Sequence, residues 1–360
     1  MMPANVTEIN FQETSYRIWK KYTNIIASDQ NRDVVFKMDV ALNGISEVFE
    51  QQLKTDQMKK LIAEKGSYYD LLLLESCVIP ILSLSHVFKA PVILVNSIGA
   101  VLGNYEIVGA PTHPFLYPSN FRRRIYNLNV WEKITELYTH VRLELTFRSS
   151  EQKADLMLNK HFGKEFPSLN QLKNNVHMLF LNINPIWAGN HPVPSNVIFM
   201  GGIRQERTEE LPQAIQAFLE KSRSVVYVSF GSNIKPSLLP PKKILVLLNV
   251  LSEIPYNVIL KWDTDKVPGA PKNIKVFKWV PQSTLLKHPK IKLFITQGGL
   301  QSTDEAINAG VPLIGIPMFS DQWYNAEKYE HFNIGKKIDM ETLSEKVLID
   351  AIQTVIRNDR

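Results

Sequence analysis

The sequence predicts an α/β protein of two doubly wound domains, each a parallel sheet wrapped by helices. Three observations carry that prediction. The stretch KLFITQGGLQSTDEAINAGVPLIGIP, Lys292 to Pro317, reads by period as an apolar strand to Thr296, a Gly298-Gly299 turn, a helix from about Gln301 to Asn308, and an apolar run from Val311 to Pro317. A similar unit stands earlier: a continuous apolar strand from Asp70 to Leu74 ending in Glu75, a helix to about Phe88, and a strand from Pro91 to Asn96. Such a crossover implies parallel strands with ligands at their C-terminal ends. Between the two lies the charged stretch IRQERTEELP, following Gly201-Gly202, with the composition of an interdomain linker. The expected domains are therefore 1–204 and 205–360, and a length of 360 residues suits two.

Bulk properties narrow the function classes. Hydrophobic residues make up 44% of the chain and charged residues 21%, ordinary for globular material with a large core. The net charge of +6 is scattered, except at Arg122, Arg123 and Arg124, and no basic stripe is interleaved with aromatics. Nucleic acid is thereby excluded as a partner. The single cysteine, Cys77, rules out an intramolecular disulfide and a cysteine-based zinc site, and its apolar setting predicts a buried, inert thiol. The start, MMPANVTEINFQ, is polar, and no run of about 18 uncharged apolar residues occurs, so the chain shows neither signal peptide nor membrane span. Asn5-Val6-Thr7 is a glycosylation triplet, meaningful only in a secretory compartment.

In chain order, residues 1 to about 65 read as helices packed on a sheet, with Ile45, Val48, Phe49, Leu53, Met58 and Leu61 able to line one face. Phe121 to about Ser168 predicts long helices, with the three arginines opening the first, as a solvated face or against a membrane surface. Strands follow at Val176–Asn182 and Val197–Met200. The second domain begins with a helix, Gln213–Lys221, and a strand, Ser224–Phe230, that ends in Gly231-Ser232-Asn233. A helix in the 240s, strands Asn257–Lys261 and Ile274–Phe277, and the sequence WVPQ complete the approach to Lys292.

The Gly298-Gly299 turn has two readings. Glycines let a backbone approach a phosphate, and the helix that follows offers unpaired amides and a positive dipole end. Equally, Ser302, Thr303, Asp304 and Glu305 would cap and complement that helix with no ligand. The Gly231-Ser232 turn is similarly either a phosphate contact or a tight turn. Glu75 is either a carboxylate facing a crevice or one that complements a helix start.

The flanks resolve these alternatives by resemblance. WVPQ, then LLKHPKIKLFITQGGLQSTDEAINAGVPLIGIPMFSDQ, resembles the signature of the UDP-glycosyltransferases, closely over the C-terminal half and more loosely over YYDLLLLE, FKAPVILVNS and NVIFMGGI. The resemblance implies the GT-B fold, two Rossmann-like domains facing across a cleft, with acceptor in the first and UDP-sugar in the second. It implies that Trp279 stacks the uracil, that Gln282 and Glu305 bind ribose oxygens, and that Ser232, Thr296, Gln297, Gly298, Gly299 and Ser302 face the diphosphate. Asp321 and Gln322 would read sugar hydroxyls. Gln297 stands where animal members often have His, a variant associated with the insect-type branch. Glu75 matches the acid, usually Asp, that orients a catalytic His, while the His itself matches no residue of this chain. His86 and His113 read as structural.

The implied reaction is inverting, metal-independent transfer of a hexose from a UDP-sugar to a small lipophilic hydroxyl acceptor, with no cofactor. Glucose is the expected donor sugar, since Asp321 would sit uneasily beside the carboxylate of glucuronic acid. Members typically carry a signal peptide and a membrane anchor, so the polar start and the stop at IRNDR predict a partial chain. Its full-length form would be anchored in the endoplasmic reticulum membrane, facing the lumen and serving detoxification, and the resemblance admits a homo-oligomer. The expected behaviour of the chain as given is UDP-sugar binding with slow transfer, because removing a general base typically costs about 10² to 10⁴ in rate. Two other classes fit a doubly wound scaffold: an inactive donor-binding chain, and a UDP-sugar epimerase or nicotinamide enzyme. The missing Gly-x-Gly-x-x-Gly argues against the last pair.

Overall fold

A computed structural model describes residues 6–28, 33–64, 69–202, 209–232, 235–264, 267 and 269–357. Asn5, Asn233, most of the IRQERTEELP stretch with the expected boundary at 204/205, and the last three residues lie outside them. The chain divides into two compact units: Met1–His113 with Tyr138–Gly201, and Pro114–Leu137 with Gly202–Arg360. Residues 114–137 thus pack with the second unit although they precede the linker stretch in sequence.

Among the described residues, the first unit holds a parallel sheet of four strands, β1 (Leu72–Glu75), β2 (Val92–Asn96), β3 (Val176–Leu181) and β4 (Val197–Phe199), laid side by side in chain order. Glu75 closes β1, in register with Val95. The link from β1 to β2 is a 3₁₀ turn, Ile79–Leu82, then a short helix, Ser83–Phe88, where one helix was expected. Pro80, which lacks an amide hydrogen, sits in that 3₁₀ turn. Helices Gln12–Ser28, Val34–Leu53 and Asp56–Ala63 precede the sheet. Of the face expected from sequence, Phe49, Leu53 and Met58 are buried, but Ile45, Val48 and Leu61 are half-buried. The pattern breaks because Thr55 caps a new helix through its Oγ1, 3.3 Å from the Met58 amide.

The second unit holds β5 (Val225–Ser229), β6 (Asn257–Lys261), β7 (Ile274–Phe277), β8 (Ile291–Thr296), β9 (Leu313–Gly315) and β10 (Gly335–Lys337), all parallel, in the order β10-β9-β8-β5-β6-β7. That is the strand order of the doubly wound nucleotide-binding fold. β5 is buried along its whole length, as a central strand covered on both faces must be. Val226, Val228, Leu293 and Ile295 form its core with Leu247 and Leu251 of one helix and Leu348 and Ile352 of another. At roughly 25 cal/mol per Å² of apolar surface, burial at this density is the main stabilising contribution.

Residues 121–129 are not helical; the long helix runs from Val130 to Phe162. Arg122 is buried rather than solvated, its guanidinium donating to the Glu136 carboxylate and, at 2.6 Å, to the Pro114 carbonyl. Asn127 takes a left-handed backbone, φ 51°, and Asn129 and Glu132 cap the helix reciprocally at 2.9 Å. Arg123 and Arg124 are half-buried and paired, with Glu341 and Glu132, so the three arginines do not line one solvated helix face. Among the described residues, no helix is long and apolar enough to cross a membrane.

Candidate functional site

In the second sheet the strand order reverses between β5 and β8, where chain connections leave in opposite directions and the C-terminal strand ends open a crevice. Ser229 and Thr296 are in register there, so the Gly231-Ser232 turn and the Gln297–Gly299 turn emerge side by side. A concave pocket of about 860 Å³ opens at this place, lined among others by Gly231, Ser232, Lys261, Trp279, Gln282, Ser302 and Glu305.

Gln282 organises the pocket wall. It begins the helix Gln282–Leu286, its Oε1 accepts from the Tyr227 hydroxyl at 3.1 Å, and its Nε2 donates to Ser302 Oγ at 3.0 Å and to Glu305. Both amide hydrogens are engaged, so the capacity that Gln282 retains is the second lone pair of Oε1. Tyr227 escaped the sequence reading. It is a fully buried tyrosine on β5, stacked on Phe294 at 4.8 Å, and burial pushes its phenol well above the usual range. A buried tyrosine in an apolar strand needs a partner for its hydroxyl, and that was the available signal. Trp279, by contrast, is 65% exposed and presents a free face to the pocket mouth, as a stacking platform requires.

Lys261 was also missed. It ends β6, with Nζ 4.8 Å from the centre of the Trp279 ring and 3.2 Å from the Gly231 carbonyl it donates to. Burial lowers its pKa. It therefore places a cation between the aromatic platform and the glycine turn, where the charge of an anionic ligand would be felt.

The turn at the end of β8 is closely fitted. Thr296 is buried and its Oγ1 accepts from the Gly298 amide at 3.3 Å. Gly298 has φ +90°, and a Cβ there would lie 3.0 Å from the Gln322 carbonyl. Gly231 has φ +74°, and a Cβ there would lie 2.3 Å from Gln297 Nε2. Gln297 is 8% exposed and its Oε1, also buried, has no hydrogen-bond partner. An orphaned buried acceptor beside two glycine turns is costly unless a ligand donates to it.

Asp321 and Gln322 lie behind this turn. Asp321 Oδ2 accepts from the Leu300 amide at 3.2 Å and from Asn325 Nδ2 at 2.7 Å, capping the helix Leu300–Ala309, while burial pushes its carboxyl up to about 6. Gln322 Oε1 accepts from the Met318 and Phe319 amides, each at 2.8 Å. With both lone pairs used, Gln322 can offer a ligand only its amide hydrogens.

The first sheet supplies less. Glu75 accepts from the Cys77 amide at 3.3 Å, its pKa raised by burial and partly restored by the backbone donors around it. It borders a cavity of about 30 Å³, water-sized, with Val78, Ile79, Leu82 and Leu94 among its walls. Cys77 is half-buried rather than buried, its sulfur 3.5 Å from Asn96 Nδ2. His86 lines a depression with Pro91 and Asn175, which precede β2 and β3, so it belongs to the end of the sheet opposite Glu75. His113 is exposed, and His191 is buried, stacked on Tyr105 at 4.0 Å. Among the described residues, no group of three or more His, Cys, Asp or Glu side chains could hold a metal ion.

The profile of one protein family, UDP-glucoronosyl and UDP-glucosyl transferase, matches residues 3–360. The chain belongs to that family. It is 34% identical over 370 residues to an ecdysteroid UDP-glucosyltransferase of Spodoptera littoralis nuclear polyhedrosis virus, covering 99% of this chain and 72% of that one. It is 36% identical over 340 residues to the enzyme of the same name from Lymantria dispar multicapsid nuclear polyhedrosis virus, covering 92% and 65%. The chain thus spans about two thirds of the length of these curated relatives. Among solved structures it resembles a UDP-glucose: anthocyanidin 3-O-glucosyltransferase in complex with UDP, with a TM-score of 0.57 and 15% identity over 99% of this chain and 76% of that one. The fold class is GT-B, built from two Rossmann-like units, and the family is one of glycosyltransferases rather than epimerases or nicotinamide enzymes.

Proposed function

We propose that the pocket at the strand reversal of the second unit is the UDP-sugar site and that the protein transfers glucose from UDP-glucose to a hydroxyl of a small lipophilic acceptor. The observation that carries this reading is the Gln282 network with Ser302, Glu305 and Tyr227 at the pocket that the exposed Trp279 ring also lines. That arrangement suits a nucleoside: a flat face for the base and fixed polar groups lining the same pocket for the ribose. Lys261 and the glycine turns would carry the diphosphate, with the Gln297 carbonyl accepting from a ligand hydroxyl. Two viral relatives named for ecdysteroids support a steroid-like acceptor.

Transfer would be inverting and independent of metal. A base takes the acceptor's proton, the oxygen attacks the anomeric carbon, and the bond to UDP breaks with its electrons going to the phosphate oxygen. Because Asp321 already accepts from the Leu300 amide, the helix start is partly neutralised, and Lys261 becomes the main positive group aimed at the leaving charge. A second reading, donor binding without efficient transfer by this chain, is favoured by Glu75, whose carboxylate holds its own turn, with His86 at the opposite end of the sheet. Calorimetric titration with UDP, UDP-glucose and NAD tests the site: the first two should bind and NAD should not. Glucosylation of a steroid hydroxyl, measured on the same preparation, separates the two readings.

A further inference from the structure

We propose that residues Arg123 to Tyr126 are positioning residues for the sugar end of the donor site, acting through the helix Gln322–His331; this rests on the donor reading above. Four consecutive residues meet three successive turns of one face of that helix. The Arg123 guanidinium lies 4.9 Å over the Trp323 ring. Arg124 Nε is 3.6 Å from a Glu327 oxygen, and the Ile125 amide donates to the other at 3.3 Å. Tyr126 stacks on His331, rings 4.0 Å apart and 8° from parallel. Positions 323, 327 and 331 are spaced by four, so they form one stripe along the helix.

The stripe is held from both sides. Lys337 Nζ reaches Glu327 at 2.9 Å and the Arg123 carbonyl at 3.3 Å, and Arg123 also pairs with Glu341 at 3.2 Å. The segment is itself anchored by buried Arg122 on Glu136 and the Pro114 carbonyl. Trp323 is 3% exposed and its indole N–H is buried without a partner, so its ring is fixed by packing and by the cation above it rather than through nitrogen.

What this fixes is the helix start. Gln322 holds the Met318–Phe319 backbone, and Asp321 holds the Leu300 amide. A shift at Trp323 therefore moves both groups expected to meet the sugar, together with the cap of the neighbouring helix. Trp279, the platform for the base, stands on another element, after β7, and should not follow; Gln282 is coupled only at one remove, through Ser302 and Glu305 of the neighbouring helix. The geometry thus assigns Arg123 to sugar recognition more than to UDP recognition.

The test is calorimetry on the full chain with UDP and with UDP-glucose, for wild type, Arg123→Ala, Arg123→Lys and Tyr126→Ala. Arg123→Ala should weaken UDP-glucose about fivefold and leave UDP within about twofold, the scale of one cation–π contact. Arg123→Lys should recover part of the loss, and Tyr126→Ala should change in the same direction as Arg123→Ala. Parallel weakening of both ligands, or no change in either, would overturn the proposal. Should Arg123→Ala fail to fold, the other two variants must show the same split, and parallel changes in them overturn it equally. A wild-type chain that binds neither ligand would instead refute the donor site on which the proposal rests.

Discussion

The two parallel sheets end differently. In the second, the order reverses between β5 and β8, and the strand ends carry glycine turns, an exposed tryptophan, a half-buried lysine and a polar network around a pocket of about 860 Å³. In the first, β1 to β4 follow one another without reversal, and Glu75 at the edge borders a cavity of about 30 Å³ with largely aliphatic walls. Both units are α/β, yet among the described residues the switch point lies in the second, and the polar side chains collect where the backbone leaves room for a ligand.

The largest expected contrast is in pH dependence. Asp321 is buried with its carboxyl pushed from 3.8 up to about 6, so the native state holds a proton that the unfolded chain has released between those values. The Asp321 contribution to stability should therefore be greatest at and below about pH 4, fall as pH rises to about 6, and stay level above, the loss from this group being up to about 3 kcal/mol. Urea midpoints across this range should show the slope in wild type and lose it in Asp321→Asn. Glu75 is shifted in the same direction but is only half-buried, so Glu75→Gln should flatten the profile much less. Equal flattening by both variants would erase the distinction between the two strand ends.

Next in size is Trp279→Ala, expected to weaken UDP binding by about 1 to 3 kcal/mol, the scale of one stacked base. Being largely exposed, the residue should leave thermal stability nearly unchanged. Tyr227→Phe removes the hydroxyl that orients Gln282 and should lower both stability and UDP affinity by about 1 kcal/mol, measured by denaturation and calorimetry on one preparation. Smallest is Glu75→Gln, whose effect on UDP affinity should stay within about 0.5 kcal/mol, as for a site outside the pocket.

Much of this was legible in the sequence. The elements Gln213–Lys221, Asn257–Lys261 and Ile274–Phe277 form with the ends their patterns predict, because short apolar runs bounded by polar or proline-containing breaks leave few alternatives. The strands before and after the Gly298-Gly299 turn were legible for the same reason, though only Leu313–Gly315 of the second run pairs as strand. Arg122 was not, since the groups that bury it, Glu136 and the Pro114 carbonyl, are chosen by tertiary packing rather than by helical period. Nor were Tyr227 and Lys261, single polar residues in apolar strands whose partners lie elsewhere in the chain. Composition places such residues in a strand but not at a pocket. The engaged carbonyl of Gln322 was hidden for another reason: a motif names a residue without saying which of its atoms the backbone has already used.

The most direct measurement is amide hydrogen exchange of the full chain with and without saturating UDP. Protection should rise at 229–232, 279–284 and 296–305, the turns and helix starts around the second sheet's reversal, and stay unchanged at 72–78. Protection appearing instead around Glu75, with none near Trp279 and Gln282, would contradict the placement of the donor site.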